Sequence, residues 1–204
     1  MGVLNLHMDA MEAILTRRST RNYLPRPVER EKLDMLIAAA HQAPSGGNNQ
    51  TNHFLVIQNR AVLDRLIGMV EEAFSRMDVD EDTYASLRHA ILASKEGGYV
   101  FCYNAPVMIV VANRRDYGNN MADCACAIEN MMVAANALDL GSCWINQLRW
   151  LNKEPALVKY LRSLGMREYE RVYGAVVVGY PATDSGLPNR NMMAQKGNEM
   201  TYID

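Results

Sequence analysis

The stretch DCACAIENMMVAANAL, Asp123 to Leu138, decides how the rest of the chain is read. Its apolar positions Ala127, Ile128, Met131, Ala134, Ala135 and Leu138 recur at helical spacing yet wrap much of the circumference. They predict a helix covered on most sides rather than one with a solvated back. Such a helix needs strands or further helices around it. Before it stands VMIVVA, Val107 to Ala112, which predicts a buried strand, and after it GSCWI, Gly141 to Ile145, a short strand or turn. RVYGAVVVGYP, Arg171 to Pro181, predicts another strand closed by its proline, and HFLVIQ, with Phe54 to Ile57 at its centre, one more.

Helices fill the intervals. Asp9 and Glu12 have capping-box spacing, so a short helix starts near Asp9 and delivers its end into RRSTR. Leu33, Leu36, Ile37 and Ala40 predict a second helix that stops before Pro44, where the loop PSGGNNQ begins. Val62, Leu63, Leu66 and Ile67 predict a third, and Pro155 to Leu164 an amphipathic one closed by Gly165. Residues 71–98 read as polar and irregular, helical in parts, and as a candidate lid. Beyond Pro181 the chain is apolar but unpatterned, which suits a segment lying across something else. Strands mixed with helices indicate an α/β or α+β domain, and periodicity alone does not choose between them.

Length and charge narrow the function. A chain of 204 residues is one domain's worth and supports a core without staples. A net charge of −2 removes the broad positive field of sequence-independent nucleic-acid binding. No apolar run reaches the roughly 18 residues of a membrane span, and MGVLNLHMDA lacks the pattern of a secretory leader. Four cysteines, Cys102, Cys124, Cys126 and Cys143, sit in apolar surroundings and suit reduced thiols in a cytoplasm. Cys124 and Cys126 have no second ligand pair at zinc spacing, and no nucleophile elbow, Walker A loop or dinucleotide fingerprint is present.

Three constellations carry chemistry. Arg17, Arg18, Ser19 and Arg21 form a donor cluster suited to a phosphate, or else a solvated basic turn at the negative end of a helix. In PSGGNNQ the glycines allow close backbone approach and the amides suit a heterocycle edge; the alternative is an ordinary helix-to-strand connection. LGSCWINQ places small residues, an aromatic and two amides after the buried helix, with Trp144 as a core aromatic the competing reading.

Taken in order, RRSTRNYLPRPV, APSGGNNQ, NAPVMIVVA, ENMMVAANALDLGSCWI and VYGAVVVGYP resemble the FMN-dependent nitroreductase family over nearly the whole chain. The resemblance implies an α+β fold in which a central mixed sheet packs against helices. It also implies a single domain over residues 1–204 and an intertwined homodimer, with FMN at the subunit interface and the tail from about 182 to 204 packing on the partner. By the same resemblance Arg17, Arg18 and Ser19 hold the flavin phosphate and ribityl chain, and Arg21 faces the pyrimidine edge of the ring. Pro44, Ser45, Asn48 and Gln50 come from the other subunit. Trp144, Ile145, Asn146 and Gln147 lie near the flavin N5 and O4, Asn146 with an N–H donor, and Arg190 reaches the phosphate. The chain departs from the family at Thr51 and Asn52, where many relatives carry Pro-Trp.

The implied activity is two-electron, ping-pong transfer from NAD(P)H through FMN to nitroaromatics, quinones or similar flat small molecules. The chemistry belongs to the cofactor, so the protein needs no triad and no metal. A non-catalytic flavin store or redox sensor is the alternative, in which residues 71–98 cap the ring.

Overall fold

The computed structural model describes residues 8–194 and 196–204. The start of the chain through His7, on which the reading of the N-terminus partly rests, lies outside the described residues. Helices α1 (Ala10–Thr16) and α2 (Arg30–His41) precede strand β1 (His53–Ile57), followed by α3 (Arg60–Ser75), α4 (Ala85–Glu96) and β2 (Val107–Arg114). The central helix α5 (Asn120–Ala137) leads into β3 (Gly141–Ile145), the short α6 (Gln147–Trp150), α7 (Pro155–Ser163) and β4 (Glu170–Gly179). The strands stand in the order β1-β2-β4-β3.

Every strand-to-strand pairing is antiparallel, with Leu55 opposite Val110, Val110 opposite Ala175 and Cys143 opposite Val177. The α+β class therefore stands, whereas the four strands do not make a mixed sheet. Parallel character enters among the described residues only through the isolated bridge from Ser19 to Ser142, beside the β3 edge. Apolar runs encode burial of a strand but not its direction, which is set by long-range pairing.

Both faces of the sheet are covered. Met108, Val110, Ala112, Ala175 and Val177 face a core shared with α3, α4, α6 and α7. Val107, Ile109, Val111, Val176 and Val178 face a second core built on α2 and α5. Near-continuous apolar sequence in β2 and β4 follows from that double coverage. Residues 71–98 prove more regular than their polarity suggests: α3 continues to Ser75, α4 occupies Ala85–Glu96, and Val70, Phe74, Ala90 and Ile91 are buried.

α5 is buried nearly all round, as its sequence requires, and carries just two fully buried polar residues, Asp123 in its first turn and Asn136 in its last. A buried polar group needs partners, and theirs are the two candidate loops. Asp123 Oδ1 accepts the Gly46 N–H at 3.2 Å, and its Oδ2 accepts the Tyr117 hydroxyl at 3.0 Å. The Asn136 side-chain amide donates to Ala13 O at 3.0 Å and Thr16 Oγ1 at 2.9 Å, fastening the end of α1. One helix thus anchors PSGGNNQ at its start and RRSTR near its finish.

Candidate anion and cofactor site

Residues 17–22 leave α1 and run along the β3 edge. Thr20 N–H donates to Ser142 O at 2.8 Å, and Ser19 pairs with Ser142 in the parallel bridge. This close approach needs Gly141, since a Cβ there would stand 2.6 Å from Thr20 Oγ1. Further on, Tyr23 bridges to Pro181, bringing the two ends of the fold side by side. Between them opens a cleft of about 470 Å³. One wall is Arg17, Arg18, Ser19, Thr20, Arg21 and Asn22, and the other is Pro181, Ala182, Thr183, Asn189 and Met193. No carboxylate is among these lining residues. A second cleft, of about 440 Å³ between α2 and β1, contains none of the residues expected to hold the cofactor.

The arginines differ in their surroundings. Arg17 Nε pairs with Glu129 Oε1 of α5 at 3.2 Å. Arg18 Nη1 donates to Arg17 O at 2.6 Å, while its Nε is buried without any hydrogen-bond partner. A buried N–H left unpaired is costly, and for a guanidinium the natural remedy is an anionic oxygen. Arg21 is exposed and lies 5.9 Å from the centroid of the Tyr103 ring. Cys143 sits beneath this cluster, where burial pushes its thiol pKa up against the opposing pull of Arg21, Ser19 and Arg17.

At the far end of β3, Ile145 is buried and Trp144 half-buried. Trp144 Nε1 donates to Asn146 Oδ1 at 2.9 Å. The Asn146 N–H, which the resemblance implies as a donor near the flavin N5, donates within the single chain to Gln147 Oε1 at 3.1 Å, and Gln147 Nε2 donates to the Tyr99 hydroxyl at 2.8 Å. A half-buried peptide N–H next to a long amide side chain finds that acceptor at hand.

The PSGGNNQ loop makes a short turn in which Gly47, Asn48 and Gln50 all take positive φ, at 60°, 55° and 49°. Pro44 is exposed and Ser45 Oγ accepts the Gln50 N–H at 3.1 Å; the Gln50 side chain donates to Asn48 Oδ1 at 3.0 Å. Asn52, at the departure from the family pattern that the resemblance implies, donates to Asp123 O at 3.0 Å and accepts from Asn113 at 2.8 Å, so a polar network fills that place. Within one chain this loop does not meet the arginine cluster. Asp123 and Asn136, the anchors of the two, are separated by about 20 Å of helix axis at 1.5 Å per residue.

Arg190 departs from its expected position. Its Nη2 donates to Asn136 O at 2.7 Å and pairs with Asp139 at 2.6 Å, and its Nε donates to Asn136 Oδ1 at 3.3 Å. The carbonyl end of α5 and a carboxylate together outbid the cleft for this cation. Asn189 and Met193 line the cleft in its stead. Thr20, Asp123, Tyr99 and Tyr103 are site-forming residues that the sequence reading missed, and Gly141 stood in LGSCWINQ without its contact to Thr20 being foreseen. Of these, Asp123 alone carried a signal, as an acid inside an apolar helix.

An antiparallel sheet buried between helices, with an arginine-rich cleft at one edge, defines an α+β protein whose candidate ligand is an anion. The chain belongs to the nitroreductase family, whose sequence profile matches residues 14–180. A protein of Archaeoglobus fulgidus named "Putative NADH dehydrogenase/NAD(P)H nitroreductase" is 30% identical over 174 residues, 85% of this chain and 86% of that protein. The crystal structure of a nitroreductase with bound FMN from Bacteroides fragilis matches with a TM-score of 0.83 and 34% identity, covering 97% of this chain and 100% of that one. A BluB-like flavoprotein from Clostridium difficile shares the fold, with a TM-score of 0.73 at 22% identity over 97% of this chain and 100% of its own.

Proposed function

We propose that the protein is an FMN-dependent oxidoreductase that takes electrons from NAD(P)H and passes them in pairs to nitroaromatics, quinones or similar flat electrophiles. The observation that carries this reading is the carboxylate-free cleft in which Arg18 Nε is buried without a partner beside Arg17 and Ser19. That donor set fits a phosphate monoester, and a relative of 34% identity binds FMN. When bound, FMN supplies hydride acceptance and donation at its ring.

The chain's own residues then have three tasks. Arg17, Arg18 and Ser19 bind the phosphate end. Arg21 sets a positive charge beside the ring edge where negative charge develops on reduction, favouring paired-electron transfer. Trp144 to Gln147 orient the reacting end of the site.

The second half of the site comes, in this reading, from a second copy of the chain. Pro44, Ser45, Asn48 and Gln50 cannot serve their own chain's cluster across α5, and a homodimer would bring each loop to the other's cleft. The exposed apolar residues Met11, Ile14 and Leu15 of α1 and Met192, Met193, Met200, Tyr202 and Ile203 of the tail support a covering partner. The cytoplasm, where reduced thiols persist, is the compartment that suits such a protein.

The test is the double variant Arg17→Ala, Arg18→Ala, assayed for FMN per chain after purification. Reduced flavin content is expected, and wild-type stoichiometry would remove the phosphate role. Anaerobic mixing of the yellow protein with NADH and with NADPH then separates an oxidoreductase, which bleaches with at least one donor, from a flavin store, which bleaches with neither.

A further inference from the structure

The turn between α4 and β2 carries two tyrosines that the family motifs quoted above do not include. In GYVFCYNAP, Gly98 to Pro106, Phe101, Cys102 and Ala105 are buried, while Tyr103 and Asn104 both stand in the left-handed region at φ 55°. Asparagine tolerates that region, but a tyrosine is held there only by what surrounds it. Asn104 Oδ1 accepts from Arg60 at 3.2 Å, and Arg60 is itself paired with Asp64 one turn along α3. The Tyr103 and Ala105 N–H groups close back on Val100 O and Cys102 O at 3.2 and 3.0 Å. The turn is thereby tied to α3 and to the core, and each end of it presents a tyrosine to the candidate site.

Tyr103 places its ring 5.9 Å from the Arg21 guanidinium carbon, within cation–π range. Arg21 makes no ion pair among the described residues, which leaves the Tyr103 side chain as its aromatic neighbour in cation–π range. At the other end the Tyr99 hydroxyl accepts from Gln147 Nε2 at 2.8 Å, and Gln147 Oε1 accepts the Asn146 N–H. Two of the residues expected at the ring, Arg21 and Gln147, are therefore each in contact with one turn of chain.

We infer that Tyr103 and Tyr99 are positioning residues for the ring end of the cofactor site, Tyr103 fixing the Arg21 guanidinium and Tyr99 the Gln147 amide. This rests on the FMN reading above. A cation fixed against the ring edge stabilises the charge that arrives with two electrons, whereas one free to swing into water is screened. Fixing Arg21 thus raises the flavin reduction potential, an effect that a purely structural role for Tyr103 would not produce.

The experiment loads FMN into the wild type, Tyr103→Leu, Tyr103→Phe, Arg21→Ala and the Tyr103→Leu, Arg21→Ala double variant, and measures midpoint potential and flavin Kd. Tyr103→Leu is expected to move the potential to more negative values and weaken FMN about two- to fivefold. Tyr103→Phe, which keeps the ring, should stay near wild type, and Tyr103→Leu should add nothing once Arg21 is gone. A wild-type potential in Tyr103→Leu overturns the inference, as does an equal shift in the Arg21→Ala background. Should Tyr103→Leu fail to fold, Tyr99→Phe carries the test: loss of the Gln147 partner should shift the bound flavin's visible absorption, and an unchanged spectrum overturns the proposal. Failure of the wild type to take up FMN would instead sink the site reading itself, and this inference with it.

Discussion

Gly141 and Thr20 meet back to back, with the position of a Cβ on Gly141 only 2.6 Å from Thr20 Oγ1 and 2.7 Å from its Cβ and Cγ2. The contact lets residues 17–21 hydrogen-bond to β3, and it leaves no room for adjustment, because one of the atoms met is Thr20 Cβ itself. Gly141→Ala should push the arginine segment off the strand. The expected cost is about 1–3 kcal/mol of stability, the range for overpacking, together with reduced FMN content. Urea denaturation and flavin stoichiometry check both. Gly68→Ala, in α3 with nothing within 4 Å of the added Cβ, is the control and should stabilise slightly.

Asp123 plays the same part for the other half of the site. It is buried, accepts the Gly46 N–H and the Tyr117 hydroxyl, and holds a loop with three residues in the left-handed region. Asp123→Ala leaves the Gly46 N–H without its acceptor and the Tyr117 hydroxyl with Gly46 O alone, and the loss of such hydrogen bonds to a buried carboxylate puts the cost at about 2 kcal/mol. Asp123→Asn, which keeps one acceptor oxygen, should lose less. The order wild type, Asn, Ala in denaturation midpoint is the expected result, and equal midpoints for wild type and Asp123→Ala would contradict the anchoring role.

Local signals account for what could be read without coordinates. β2 and β4 are runs of branched apolar residues, α5 is apolar around its whole girth, and the Asp9 cap is observed, with the Glu12 N–H donating to its carboxylate at 2.9 Å. Strand direction was not legible, because it depends on which segments meet across the chain. The site divides the same way. Arg17, Arg18, Ser19 and Arg21 announce themselves by donor density within five residues, and the structure gathers them in one cleft. Arg190 carried no sign of its bond to Asn136 and Asp139, residues more than fifty positions earlier. Tyr103 resembles any core aromatic until its positive φ and its place over Arg21 are seen.

A pH dependence follows from Glu29 and Tyr180. The Tyr180 hydroxyl donates to Glu29 Oε2 at 2.6 Å, while Arg26 donates to Oε1 at 3.1 Å. The Tyr180 hydrogen bond first, then a backbone N–H and Arg26, hold the Glu29 carboxyl at about 2 against an ordinary 4.5. A carboxylate whose pKa is lower when folded stabilises the fold above its unfolded pKa, and that contribution disappears as pH falls through the folded value. Tyr180→Phe should therefore be less stable than wild type near neutrality, and the gap should close between pH 4.5 and about 2. With the Glu29 side chain 44% exposed, solvent screening keeps the gap below about 1 kcal/mol. Urea midpoints of the two proteins across that window give the measurement, and a gap that widens on acidification would contradict the assignment.

The placement of PSGGNNQ and RRSTR at opposite ends of α5 makes the proposed sharing between chains testable without a structure of the assembly. In a two-fold dimer each cleft would take its arginines from one chain and its loop from the other. A chain carrying Arg17→Ala and Arg18→Ala can still lend an intact loop, and a chain carrying Asp123→Ala can still lend intact arginines. Each variant expressed alone should hold little FMN, since both of its clefts are damaged. Expressed together at equal levels, they form mixed dimers in which one cleft carries every defect and the other none. Random pairing puts about half of all dimers in the mixed class, each with one sound cleft of two, so flavin should recover to roughly a quarter of the wild-type content. Recovery should be confined to the mixed species, which differently tagged chains allow to be isolated. If arginines and loop instead served the same chain, no pairing could restore a sound cleft, and the co-expressed protein would be as colourless as its parents.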